Sequence, residues 1–280
     1  MTTTMHLRRP MRTHLRHLVL AAALVLPATV PATLSAQDFT WNGTVSRGNW
    51  VRMRNLNGAI VVEGGTGDKV EVTAIKKVGR GGDAQVVRIE ARQSAAGDDV
   101  IICALYDERG SCDENGYRSG RRNNSWDDDD DDRRNVSVEF RVKLPAGVKL
   151  DASSVNGRID IAGATSEVRA SSVNGGIRAT STGGPVRANT VNGGIDVQMG
   201  ALSGSESLEY STVNGSVKVR LPQGVNADIE MSTVNGGFES DFPLTLQGRM
   251  DKRHIQARLG SGGQRIKFST VNGSVELLKL

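Results

Sequence analysis

The tripeptide Val-Asn-Gly recurs six times in this chain of 280 residues, with its asparagine at Asn156, Asn174, Asn192, Asn214, Asn235 and Asn272. A looser copy, Asn55-Leu56-Asn57-Gly58, stands far upstream. From Asn156 onward the intervals are 18, 18, 22, 21 and 37 residues. A unit of that size cannot enclose a core of its own, so a period near 20 belongs to coils that bury their faces against one another. The last interval is about two periods and predicts one degenerate or inserted turn.

Aligned on the asparagine, the copies carry apolar residues six positions before it (Leu150, Val168, Val186, Leu208, Ile229, Ile266) and four before it (Ala152, Ala170, Ala188, Tyr210, Met231, Phe268). Three positions after it the series resumes as Ile159, Ile177, Ile195, Val217, Phe238 and Val275. This alternation is the signature of strands with one buried face. Asn-Gly between them suits a tight corner with positive φ, but it is also the strongest hairpin signal, which makes an antiparallel meander the competing fold. The charges favour a parallel stack. Four positions after the asparagine the side chains run Asp160, Arg178, Asp196, Lys218, Glu239, and coils stacked in parallel bring such neighbours to about 4.8 Å, where opposite signs attract. A meander would insert a strand between them. The pairs Ser153-Ser154, Ser171-Ser172, Asn189-Thr190, Ser211-Thr212, Ser232-Thr233 and Ser269-Thr270 then form rows, read as an internal hydrogen-bond ladder because unpaired burial is costly. The seven asparagines are on this reading structural residues.

Residues 37–146 are also rich in strand-like runs, at Trp50 to Met53, Lys69 to Ile75, Val86 to Ala91, Val100 to Leu105 and Val136 to Leu144. Leu144-Pro145-Ala146-Gly147-Val148 returns as Leu221-Pro222-Gln223-Gly224-Val225, each followed by a strand and then Val-Asn-Gly. The expected fold is therefore all-β: one parallel β-solenoid, with 37–146 continuous with the repeat region 147–280 and residues 107–135 as a flexible, disordered acidic loop. These motifs resemble the bacterial putative-adhesin family, a domain-of-unknown-function family of exported β-solenoids. The resemblance covers most of residues 50–280. It implies a cell-envelope protein and brings no catalytic residues.

Residues 1–36 have the layout of a signal peptide: Arg8, Arg9, Arg12 and Arg16, an apolar run from Leu18 to Leu26, then small residues ending at Ala36. That run is shorter than the roughly 20 residues of a bilayer-spanning helix. Cleavage after Ala36 and export to the periplasm, the outer-membrane surface or the medium are expected. Four of the 35 basic side chains and none of the 31 acidic ones lie in this segment, so residues 37–280 carry 31 of each sign. The basic pI of the whole chain thus belongs to the leader, and nucleic acid and anionic membrane fall away as partners. Three of the four histidines leave with it, and His254 alone supplies no triad or poly-His metal site. Cys103 and Cys112 are expected to form a disulfide in an oxidising compartment.

Between Cys112 and Val136 stand Arg118, Arg121, Arg122 and Trp126, then Asp127, Asp128, Asp129, Asp130, Asp131 and Asp132 with Arg133 and Arg134. Adjacent carboxylates repel, and calcium is one way to neutralise them. The run lacks the spacing of an EF-hand or a calcium β-roll, and the plainer reading is a solvated loop beside its own arginines. No other cofactor is expected.

The leading functional expectation is a non-enzymatic envelope or surface protein presenting a repetitive face to a polysaccharide or an envelope partner. A periplasmic scaffold or sensory module, and a carbohydrate-active β-helix enzyme using Asp160 and Asp196, are the alternatives. The terminal run Val275 to Leu280 reads as a strand with no visible cap, whose open edge invites self-association unless residues 241–265 serve as its cover.

Overall fold

The computed structural model describes residues 1–2, 39–120, 135–248 and 251–280, so the leader reading for residues 1–36 lies almost wholly outside the described residues. Each Val-Asn-Gly copy contributes one strand before its asparagine and one after its glycine. Lys149–Asn156 and Ile159–Ala164 make the Asn156 coil, Val168–Asn174 and Ile177–Ser181 the next, Val186–Asn192 and Ile195–Met199 the third. The strands before the corner form one sheet and those after it another, with 11 and 10 strands among the described residues. Successive coils pair in parallel with matched register, Ile159 beside Ile177, Ile177 beside Ile195 and Ile195 beside Val217. Inward-pointing residues of both sheets share one core, in which Leu150, Val168, Ile159 and Ile195 are essentially inaccessible. Burying each such side chain contributes about 1.5–3 kcal/mol, and parallel stacking is what covers it.

The coils do not stack in chain order. The Asn214 coil pairs on its far side with the last copy, Leu208 beside Ile266 and Val217 beside Val275. That last coil, Gln264–Asn272 with Val275–Lys279, pairs in turn with Ala227–Asn235 and Phe238–Ser240 of the preceding copy. The chain passes outward through the Asn235 coil, turns back antiparallel as Leu244–Leu246 and His254–Leu259 over its open side, and then wedges the final coil inside. The long interval thus holds antiparallel cap strands, where one degenerate or inserted turn was expected. The terminal strand Val275–Lys279 is bonded on both edges, which removes the uncapped edge that suggested self-association.

The other end is built the same way. The Asn57 coil, Trp50–Asn57 and Ile60–Gly65, is flanked on one side by the Asn156 coil and on the other by Val100–Leu105 and Val136–Pro145. These two strands form a further coil, and residues 106–120 lead out from its expanded corner. Antiparallel strands Arg88–Gln93, Lys69–Val78 and Phe39–Thr44 lie beyond it.

Val100–Leu105 is buried on both faces, as its unbroken apolar run Val-Ile-Ile-Cys-Ala-Leu implies. Its inner side chains join the core, while Ile101, Cys103 and Leu105 meet Cys112 and Tyr117 in a second cluster. The cover is a hairpin of Ser111–Asp113 and Gly116–Arg118, tied down by the Cys103–Cys112 disulfide with Cα atoms 6.5 Å apart. The loop expected to be flexible over 107–135 is therefore ordered in its first part, while 121–134 lie outside the described residues. Arg54, 8% exposed, holds the hairpin from below: it donates to the Glu114 carbonyl and to both Asp151 carboxylate oxygens. Replacing both cysteines by alanine is expected to cost about 2–3 kcal/mol, read as lost hydrogen-exchange protection over residues 100–118.

Candidate functional site

All seven asparagines meet in one line along the corner. In stack order Asn156 Nδ2 donates to Asn57 Oδ1, Asn174 to Asn156, Asn192 to Asn174, Asn214 to Asn192, Asn272 to Asn214 and Asn235 to Asn272, each at 2.8 Å. Beneath them runs a buried row of hydroxyls. Ser154, Ser172, Thr190, Thr212, Thr270 and Thr233 each donate to the carbonyl of the corner glycine on the adjoining coil, at 2.8–3.1 Å. The expected internal ladder is thus made by the second residue of each Ser/Thr pair, while the asparagines bond one another at the surface.

The corner glycines owe their place to these neighbouring carbonyls. A Cβ on Gly157 would lie 1.9 Å from the Gly58 oxygen, one on Gly175 2.1 Å from that of Gly157, and one on Gly215 2.1 Å from that of Gly193. Positive φ, the reason read from the sequence, applies at Gly58 and Gly273 but not at Gly157, Gly175, Gly193, Gly215 or Gly236.

Immediately before the asparagines the valines point outward. Val173, Val191, Val213, Val271 and Val234 are 38–51% exposed, forming an aliphatic stripe beside the amide ladder. On the other side of the corner the residues two after each asparagine are small over the central coils, Gly176, Gly194, Ser216 and Ser274. Beyond them stands the charged row, so a groove of about 460 Å³ runs along the stack from Arg158 to Glu276.

The charges in that row are not paired as alternation suggested. Asp160 bonds Arg158 of its own coil at 2.5 Å, Asp196 bonds Arg220 at 2.5 Å, and Lys218 bonds Glu276 of the wedged coil at 2.7 Å. Glu239, expected beside Lys218, instead lies in register with Glu276. Arg178 stands between Asp160 and Asp196 in register, yet they spend their carboxylates on other arginines, and Arg178 lines the groove without an ion pair among the described residues. Asp160 and Asp196, the pair considered for catalysis, sit on alternate coils with Arg178 between them. The six aspartates Asp127 to Asp132, the expected calcium ligands, lie outside the described residues. His254 opens a cap strand beside Ser232.

At the Asn57 end the expanded corner is tied to the ladder by Tyr106, whose hydroxyl donates to the Asn57 carbonyl at 2.9 Å, and burial pushes its pKa well above the usual phenol value. Nearby, Lys77 and Arg141 hold the Glu139 carboxyl below the ordinary range. Neither the valine stripe nor the free arginine was singled out from the sequence. The valines were visible as the constant first letter of the repeat, but which face they take depends on the corner's geometry.

A family model described as Toastrack DUF4097 matches residues 47–278. No curated protein matches the chain. Among solved structures, a "putative cell adhesion protein" from Clostridium sporogenes aligns with a TM-score of 0.49 and 9% identity, over 87% of this chain and 100% of its own. A "putative adhesin" from Bacteroides fragilis aligns at 0.31 and 10%, over 88% and 98%, and one from Parabacteroides distasonis at 0.21 and 11%, over 87% and 97%.

Proposed function

This chain belongs to the Toastrack DUF4097 family, and from that premise we propose that it is an exported, non-enzymatic binding protein of the cell envelope whose contact surface is the asparagine corner. The observation that carries the reading is the unbroken side-by-side run of the valine stripe and the amide ladder along the stack. Structural duty accounts for the asparagines and the hydroxyls beneath them. It does not account for aliphatic side chains held outward in coil after coil, where a polar residue would fit equally well. Exposed apolar rows rimmed by polar groups mark interaction sites. The disulfide supports maturation outside a reducing cytoplasm. The ion pairs of Asp160 and Asp196 with arginines support a structural use of those carboxylates.

The test is retention of the purified full chain on intact cells and on isolated envelope polysaccharide. Val191→Asp with Val213→Asp places charge on the stripe without touching the core and is expected to lower retention at least about tenfold, which is ~1.4 kcal/mol. Equal retention of wild type and variant would overturn the reading. Protease shaving of intact cells, with a periplasmic protein as leakage control, separates an outer-surface role from a periplasmic scaffold.

A further inference from the structure

The groove beside the ladder has the chemistry of a site for one polysaccharide strand. We propose that it binds an acidic polysaccharide lengthwise, one ring per coil, with a carboxylate of the sugar on Arg178 and ring hydroxyls on the asparagine amides. The inference rests on the binding-protein reading above and names the ligand class. A primary amide offers two N–H donors and two oxygen lone pairs. Each ladder asparagine spends one of each on its neighbours, which leaves one donor and one acceptor facing outward per coil. The free groups therefore repeat every ~4.8 Å. A pyranose chain joined through equatorial bonds advances one ring in nearly that distance and brings hydroxyl donors and acceptors at every step. An extended peptide repeats a side chain on one face only every ~6.6 Å and slips out of register within two coils.

Charge complementarity narrows the sugar. Within the groove, Asp160, Asp196 and Glu276 are each neutralised by a basic partner, so among the described residues the uncompensated charge is the guanidinium of Arg178. Its planar fork suits a carboxylate. The adjoining coils carry Asp160 and Asp196 in register with Arg178, so a sugar carboxylate is matched at Arg178 and unmatched on the ring to either side. A polymer in which an acidic sugar alternates with a neutral one fits that pattern. A polyanion charged at every step would place carboxylates against Asp196. From Arg158 to Glu276 the groove crosses five coils, four steps of ~4.8 Å that make about 19 Å.

The experiment is calorimetric titration of the full chain at low salt with hyaluronan oligosaccharides of two, four, six and eight rings, an alternating uronate polymer serving as probe. Affinity is expected to rise up to about six rings and then level. Arg178→Ala, at an exposed side chain with no ion pair among the described residues, is expected to keep the melting temperature and weaken binding about tenfold, with Arg178→Lys between the two. Hexasaccharide reduced at its carboxylates should bind wild type and Arg178→Ala alike. No binding of any hyaluronan oligosaccharide, equal binding of polyglutamate of matching charge, or an unchanged Arg178→Ala would overturn the proposal. If that failure comes while the chain is still retained on cells through the valine stripe, the binding-protein reading stands and only the ligand class falls; loss of both fells both.

Discussion

Phe268→Ala is expected to destabilise the protein by about 3–5 kcal/mol, a large share of the ~5–15 kcal/mol that holds a typical domain folded. Phe268 is fully buried, its ring stacks on Tyr210 with centroids 5.4 Å apart, and its register neighbours are Tyr210 and Met231. The same row is filled by Ala152, Ala170 and Ala188 in the coils toward the middle, so the backbone accepts alanine and the loss is that of an emptied volume. The position also decides the topology. Phe268 sits on the coil wedged between the Asn214 and Asn235 coils, and what it fills is the seam joining the outermost coil to the rest. Urea unfolding should show the loss as a lower midpoint with the slope nearly unchanged. Removal of residues 260–280 should go further, stripping protection from 227–259 while the coils from Asn57 to Asn192 persist, because stacked repeats draw stability from nearest neighbours. A loss below about 1 kcal/mol for Phe268→Ala would contradict the placement of this coil.

The adjacent glycines Gly193 and Gly194 are expected to respond oppositely to alanine. At Gly193 the new Cβ would lie 2.4 Å from the Gly175 carbonyl oxygen and 2.8 Å from the Gly176 nitrogen, both backbone atoms of the adjoining coil. The clash can be relieved only by parting two coils, which strains the Asn192 to Asn174 amide bond and the Thr190 hydroxyl bond to Gly175. A cost of about 3 kcal/mol follows from overpacking of this kind. At Gly194 the nearest atom would be the Ser216 carbonyl oxygen at 3.5 Å, an ordinary contact, and the change should stay within ~0.5 kcal/mol. Thermal melts of the two variants make the comparison. Equal effects would mean that glycine is present for backbone freedom alone, which the φ values of these residues do not ask for.

The strand pairs, their parallel register and the shared core were legible because period-two alternation locked to an asparagine repeats the same local physics in every coil. The order of the coils was not legible for the same reason. Lys218 wants an acidic neighbour, and Glu239 and Glu276 serve equally well as letters, so only the closure of the whole stack selects Glu276. The aromatic pair Tyr210 and Phe268 was the available hint, since two rings in a row otherwise held by alanine and methionine stack best side by side. At the corner the glycines were expected for their φ, but the demand comes from carbonyls of another coil, a contact with no local trace. Arg178 likewise looked like one member of an ion-pair row. Its freedom depends on Arg158 and Arg220 reaching Asp160 and Asp196 first, a competition settled by side-chain geometry. The hairpin under Cys112 was hidden by the charged residues around it.

The continuity of the corner, and with it the ridge and groove offered as the binding surface, depends on the last coil lying between those of Asn214 and Asn235. Paired cysteines on the exposed valine row test this directly. Val213→Cys with Val271→Cys places the two on adjoining coils, at the ~4.8 Å strand spacing that lies within the range a disulfide spans. Val213→Cys with Val234→Cys places them two coils apart, beyond about 7 Å, where no bridge closes. After mild oxidation and peptide mapping by mass spectrometry, a 213–271 crosslink without a 213–234 crosslink is the expected result; a 213–234 crosslink would mean that the coils stack in chain order and that the wedge does not exist.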